Sequence, residues 1–183
     1  AYNEEERLPV TLPQVADFVN RQSYTTEVIL VNNNSKDRTR EIADDFASEL
    51  SFLRVIDEPT QGKGAAVRTG VLAARGEYIF LADADFSMPV AEVNKFLPPH
   101  LAEYDVAIGS REVKGAVRYD EPEYRHVMGR IFNLIVRIIA VPGFQDTQAG
   151  FKCFRRKAAL DVFPDQRIDG WAFDVEVLFI ALQ

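Results

Sequence analysis

Asp83-Ala84-Asp85 carries the most direct chemistry in the chain: two carboxylates one residue apart in a turn offer hard oxygen ligands for Mg²⁺ or Mn²⁺, and such an ion could bridge a diphosphate. A solvated turn has the same composition, so the neighbours must decide. Gln61-Gly62-Lys63-Gly64-Ala65-Ala66 looks like a phosphate loop at a helix start. It lacks the first Gly and the Ser/Thr after Lys of a Walker sequence, and Val67 stands where a dinucleotide fingerprint needs its third Gly or Ala. A P-loop NTPase is excluded and NAD binding is not expected. Lys63 is left to reach a phosphate or a base edge, or to lie on the surface beside a helix N-terminus. Asn32, Asn33 and Asn34 could read a nucleobase, because an amide offers both an acceptor and donors, or could form a plain turn in which Asn34 adopts the left-handed conformation. Asn33-Asn34-Ser35 also fits the glycosylation sequon, which in a crevice is expected to stay unmodified.

The elements that must position these groups alternate. Strands are predicted at Glu27–Val31, Ser51–Ile56, Glu77–Ala82 and Tyr104–Ile108, with helices from about Asp37, over Gly64–Arg75 and over Val90–Leu97 until Pro98-Pro99. Apolar strands alternating with helices imply an α/β fold, a mainly parallel sheet with helices on both faces, and ligands on such sheets gather at the carboxyl ends of strands. Asn32 to Ser35, Asp83 to Asp85 and Ser110-Arg111 each follow a strand and should converge on one crevice.

The 183 residues, 47% of them hydrophobic, are one domain's worth with an ample core. A net charge of −7 argues against nucleic-acid capture by bulk charge. Residues 111–157 depart from the rest, holding ten Lys or Arg against five acids, so that this segment carries +5 and the remainder −12. It is the segment expected to face phosphates or an anionic membrane surface. Within it, Val127, Met128, Ile131, Leu134, Ile135, Ile138 and Val141 recur at helical spacing opposite a stripe of His126, Arg130, Asn133 and Arg137, which suits either an interfacial helix or one packed on the sheet. Cys153 cannot form an internal disulfide and is expected as a small core residue, and Arg155-Arg156-Lys157 as solvated surface. No apolar run reaches the length of a membrane span. A start without Met and a finish within Phe179-Ile180-Ala181-Leu182-Gln183 lead us to expect a single domain, residues 1–183, incomplete at both ends, whose missing parts could hold anchors.

Taken in order, Ala1-Tyr2-Asn3-Glu4, Gly62-Lys63-Gly64, Asp83-Ala84-Asp85, Gly109-Ser110-Arg111, Asp146-Thr147-Gln148-Ala149-Gly150-Phe151-Lys152 and Trp171-Ala172-Phe173-Asp174-Val175-Glu176 resemble the motifs of the family-2 glycosyltransferases of the GT-A fold. The likeness is strongest to the members that transfer glucose to dolichyl or polyprenyl phosphate, and it runs over the whole chain. One departure matters: Asn32-Asn33-Asn34-Ser35 stands where the family usually has Asp-Asp-Gly-Ser, replacing a carboxylate by an amide whose hydrogen bond to a base is roughly half as strong.

The resemblance implies an inverting transfer of a hexose, glucose from UDP-glucose or mannose from GDP-mannose, to a lipid phosphate at the cytoplasmic face of a membrane. Asp83 and Asp85 would hold the metal. Tyr2, Asn3, Glu4, Asn32, Asn33, Lys63, Asp83 and Ala84 would bind the nucleotide. Asp85, Arg111, Asp146 and Asp174 would serve the reaction, and Arg118, Arg125, Arg130 and Lys152 the acceptor phosphate. Two alternatives stay open: a sugar hydroxyl as acceptor, with Asp146 or Asp174 as general base, and a non-catalytic nucleotide-sugar-binding domain.

Overall fold

The computed structural model describes residues 1–85, 88–110, 141, 146, 147 and 149–183. Four strands lie where the apolar runs predict them: β1 Val28–Asn32, β2 Leu53–Asp57, β3 Tyr78–Leu81 and β4 Val106–Ile108. β1 and β2 pair in parallel, Val28 opposite Leu53 and Asn32 opposite Asp57, so both strands deliver their polar last residues to the same edge. A fifth strand, β5 Lys152–Arg155, lies between β3 and β4 and runs antiparallel to both. β3 and β4 are therefore parallel to each other, and β5 is the one antiparallel insertion among the described strands.

β5 is absent from the sequence reading because Lys152 and Arg155 flank only two apolar residues, and Arg155-Arg156-Lys157 reads as solvated surface. Its burial comes from the neighbours. Phe154 packs with Val71, Ile79, Phe163, Phe173 and Val177, whereas Cys153 packs with Phe96 and Phe151, the two faces of one strand filling two cores.

Among the described strands β1 and β2 form one sheet and β3, β5 and β4 another, and helices cover both faces of the β1–β2 sheet. α1 Leu8–Asn20 and α2 Thr39–Glu49 bring Leu8, Leu12 and Ala43 against Leu30 and Leu53. Val31, next in the strand and so on the opposite face, touches Gly70 of α3 Lys63–Ala73. α1 went unpredicted because Pro9 and Pro13 mask its period of Leu8, Leu12 and Val15. Pro9 falls in the first turn, where a missing N–H is tolerated. The stretch expected to be helical before Pro98-Pro99 is a 3-10 helix, Val90–Phe96, confined between Pro89 and the proline pair. α4 Arg156–Val162 and α5 Phe173–Ala181 complete the order.

Cys153 is a core residue, as expected. Burial pushes its thiol up to about 11, and the Tyr104 hydroxyl lies 3.1 Å from its sulfur. At pH 8 the native thiol is thus almost wholly protonated and shielded, and only the thiolate attacks disulfide reagents. Mass-spectrometric mapping with an alkylating reagent should leave the Cys153 peptide unlabelled in native protein and label it fully in urea.

Candidate active site

The crevice is built from the asparagine loop outward. Asn33 is buried and brackets the loop after β2: its Nδ2 donates to the carbonyls of Glu58 (3.1 Å) and Thr60 (2.7 Å), and its Oδ1 accepts from Gly62 N at 2.8 Å. Its amide is committed to the protein, which corrects the expectation that it reads a base. Asn34 has φ +58°, the left-handed turn anticipated from its residue type. Asn32 donates to Asp57 Oδ1 at 2.8 Å while its own carbonyl oxygen is buried with no partner. The Asp57 carboxyl is held below its usual range, first by Arg40 and then by Asn32.

The N-terminal arm is stitched to the same edge. Ala1 lies beside Asn32 as a parallel strand partner would, its ammonium donating to Val31 O (2.7 Å) and its carbonyl accepting from Asn33 N (2.8 Å). Asn3 N donates to Ser35 Oγ, Lys36 N to Asn3 Oδ1, and Glu4 N to Thr39 Oγ1 at 2.6 Å. Tyr2 and Asn3 remain exposed at the crevice edge, while Glu4 pairs with Arg7 at 2.8 Å.

The glycine-lysine turn is clamped from the far end of the chain. The backbone N–H groups of Gly64 and Ala65 both donate to Asp169 O, at 2.7 and 3.2 Å, and Gln166 Nε2 donates to Gly64 O at 2.9 Å. A side chain at Gly62, where φ is +151°, would overlap the Asp169 carbonyl, and one at Gly64 would overlap that of Ile168. The segment is itself pinned, because Glu176 accepts from Arg167 N and Ile168 N while Arg68 donates to Gln166 O at 2.9 Å. Since these helix-start N–H groups are already paired, they do not form a phosphate cradle. The anion-binding capacity of the turn rests on the Lys63 side chain.

Lys63 Nζ lies 2.7 Å from Asp83 Oδ1 and 5.0 Å from the ring centroid of Trp171, a residue 75% exposed. The asparagine loop, the lysine turn and the acid turn therefore meet, which brings together two of the three strand-end clusters expected to converge; the third, Ser110-Arg111, runs into residues outside those described. The other carboxylate oxygen of Asp83 sits where a side chain at residue 150 would be. On the expectation that this crevice takes a nucleoside diphosphate, replacing Gly150 by Ala should drive Asp83 off Lys63 and weaken UDP binding about tenfold, the worth of one charge-assisted hydrogen bond. Calorimetry with UDP reads this directly.

Asp85 is exposed in the turn after β3, and Ala84 packs behind it against the Leu8–Leu12–Leu30 core. No group of three or more His, Cys, Asp or Glu that could together hold a metal ion occurs among the described residues. That donor set fits a Mg²⁺ or Mn²⁺ ion taking one or two carboxylates and completing its shell with phosphate oxygens and water, and does not fit an all-protein cage. Asp83 pairs with Lys63 and Asp85 is exposed, so both carboxylates of the turn border the place such an ion would take.

Behind the acid turn lies a buried polar group. Lys152, only 1% exposed, donates to Ala149 O at 2.5 Å and to Asp174 Oδ1. Burial lowers the Lys152 ammonium and raises the Asp174 carboxyl from their ordinary values, each partly offset by the other's charge. This corrects two expectations: Lys152 cannot present its charge to an acceptor phosphate, and Asp174, 4% exposed and bonded to that ammonium, does not stand open as a general base. Asp146 is also buried, close enough to favour the charged form of Lys152. Arg111, Arg118, Arg125, Arg130 and the helix expected over 123–141 lie outside the described residues, apart from the buried Val141.

The model of glycosyl transferase family 2 matches residues 1–163. The chain belongs to that family. Curated relatives of this family 2 chain include the dolichyl-phosphate beta-glucosyltransferase ALG5C of Trichomonas vaginalis, 35% identical over 193 residues that cover 99% of this chain and 57% of the relative. The Homo sapiens dolichyl-phosphate beta-glucosyltransferase is 35% identical over 196 residues, covering 99% and 60%. The chain thus spans less than two thirds of the length of these relatives. Among solved structures, the Mycobacterium tuberculosis glucosyl-3-phosphoglycerate synthase in complex with UDP superposes with a TM-score of 0.67 at 19% identity, covering 97% of this chain and 61% of that one. The Pyrobaculum calidifontis mannosyltransferase in complex with GDP-Man and Mn²⁺ gives 0.51 at 20% identity, covering 86% and 43%. These likenesses show the GT-A fold.

Several residues that shape the family 2 site lie outside the motifs singled out from sequence: Thr39, Gln166 and Asp169. Gln166 and Asp169 act through a carbonyl or an amide on a turn about 100 residues away, a role with no local signature. Trp171 and Glu176 belong to the last of the quoted motifs, which by itself gives neither the contact of Trp171 with Lys63 nor the hold of Glu176 on Arg167 and Ile168.

Proposed function

We propose that this domain transfers glucose from UDP-glucose to a dolichyl or related polyprenyl phosphate, with inversion at the anomeric carbon and with Mg²⁺ or Mn²⁺ on the donor diphosphate. The observation that carries the reading is the contact of Asp83 with Lys63: it sets an acid turn and a cation side by side, where an acidic protein could otherwise barely hold a diphosphate. The relatives' printed activity supports glucose and dolichyl phosphate as substrates.

Asp85, with Asp83, would hold the divalent ion, which when bound supplies neutralisation of the charge growing on the leaving diphosphate. Lys63 would meet the donor from the other side of Asp83, keeping that carboxylate oriented before the donor arrives. Trp171 stacks on Lys63 and restricts where its ammonium can swing. Asn32 and the arm at Tyr2 to Glu4 would border the nucleoside.

The acceptor phosphate is itself largely ionised at neutral pH, because a monoester's second pKa lies near about 6, so the attacking oxygen needs no strong base. That requirement agrees with Asp174 being bonded to Lys152 instead of facing the crevice. Acceptor binding would fall to the basic segment, with Arg118, Arg125 and Arg130 as its residues and Arg111 near the diphosphate. Such a lipid places the domain at the cytoplasmic face of a membrane; no helix among the described residues is long and apolar enough to cross one.

The test is acceptor and donor choice in the full-length protein. Radiolabelled UDP-glucose incubated with vesicles containing dolichyl phosphate and Mn²⁺ should give chloroform-soluble label, removed by chelator. Label entering only soluble oligosaccharide would reject the lipid acceptor, and transfer from GDP-mannose alone would reject the glucose donor.

A further inference from the structure

Asn32 and Asp57 are directly opposed at the ends of the parallel strands β1 and β2, and the register holds them side by side. A carboxylate only accepts, so the end of the Asn32 amide that faces Asp57 must be its NH₂, and Nδ2 indeed donates to Asp57 Oδ1 at 2.8 Å. The other oxygen of Asp57 takes the guanidinium of Arg40, which stops the carboxylate from turning away. The amide is therefore locked with its carbonyl oxygen at the opposite end. That oxygen is buried and has no partner among the described residues, in a residue only 8% exposed, next to the loop that Asn33 ties to the Lys63 turn. A buried acceptor without a donor is unfavourable, and a ligand N–H would relieve it.

We propose that Asp57 is a positioning residue that sets base choice, by fixing the Asn32 amide so that only an acceptor faces the nucleobase. The inference rests on the nucleotide-sugar reading above and deepens it. Uracil and guanine carry a ring N–H on the edge used for pairing, whereas cytosine has a bare lone pair at the matching position, so an acceptor at Asn32 admits the first two and rejects the third. Nucleotide choice then resides in a two-residue device: an amide that could face either way and a carboxylate that removes the choice. A site built around a hydrogen bond discriminates against a ligand that cannot make it, because its own polar atom is left unpaired.

Calorimetry on the full-length protein with Mn²⁺ tests this, using UDP, GDP and CDP as probes. The unaltered protein should bind UDP about tenfold or more tightly than CDP, the effect of one buried acceptor made or missed. Asp57→Ala frees the amide to rotate and should bring the UDP to CDP ratio to within about threefold, alongside a modest fall in melting midpoint from the lost contacts with Arg40 and Asn32. In Asp57→Ala/Asn32→Asp the new carboxylate accepts whichever way it turns, and the ratio should return. A merely structural role for Asp57 would alter stability and leave the ratio alone. The proposal is overturned if the unaltered protein does not distinguish UDP from CDP, if Asp57→Ala keeps the original ratio, or if the double variant fails to restore it. An unaltered protein that binds neither UDP nor GDP overturns the donor reading itself, a result separable from any of these.

Discussion

Asp85→Asn in the full-length protein should slow hexose transfer by about 10²- to 10³-fold, the usual cost of removing one preorganised charge stabiliser at a leaving group. Asp85 is the exposed member of the acid turn, and its neighbour Asp83 is already paired with Lys63 at 2.7 Å. An amide oxygen is a weaker ligand for a hard divalent ion than a carboxylate, so the ion should be lost or loosely held. The fold should be indifferent, because exposed substitutions usually change stability by less than about 0.5 kcal/mol. The discriminating signature is a metal titration: the variant should need far more Mn²⁺ for half-maximal UDP binding, with a normal melting curve. Full turnover with an unshifted Mn²⁺ requirement would remove Asp85 from the metal site.

Lys152→Met is expected to be the most damaging single change to stability among those considered, about 3 to 5 kcal/mol, because it strands the Asp174 carboxylate in an interior where no other cation among the described residues is bonded to it. Methionine is close in length to the lysine stem, so the loss is chiefly electrostatic. Folded domains have only about 5 to 15 kcal/mol in total, so much of the chain would unfold near physiological temperature. Converting both partners, Lys152→Met with Asp174→Leu, should recover most of the deficit, as replacing buried pairs by apolar groups often does. Urea unfolding of the single and double variants gives the comparison. Equal loss in both would mean that the pair is not coupled as the contact implies. A double variant that is stable but inactive would show that the pair serves to orient the crevice floor.

The fold was legible where a residue's neighbours in sequence are also its neighbours in space. β1 to β4, the left-handed Asn34 and the core position of Cys153 each follow from local composition or from turn chemistry. The rule that strand ends gather ligands pointed to the asparagine and acid turns, which meet through the lysine turn by way of Asn33 to Gly62 and Lys63 to Asp83, while Arg111 of the third expected cluster lies outside the described residues. What failed was long-range. Lys152 reads as a basic surface residue because its segment is basic, yet it lies on a strand inserted between β3 and β4 and bonds to a partner 22 residues away. Asn33 reads as a base ligand, yet the loop after β2 takes both ends of its amide. In each case the competing partner comes from an element whose position the local pattern does not determine.

The clamp on the lysine turn also sets an order of events during synthesis. Gln166 reaches Gly64 across 102 positions, and Arg68 reaches the Gln166 carbonyl across 98. Strands β1 and β2 can pair while the ribosome is still working, but Lys63 gains its lasting support only when the stretch around Asp169 and Glu176 has left the exit tunnel. A nascent chain arrested before that point would carry every donor-side motif and still lack a competent crevice, so on the proposed function this arrangement would delay nucleotide capture until translation has passed the last of these braces.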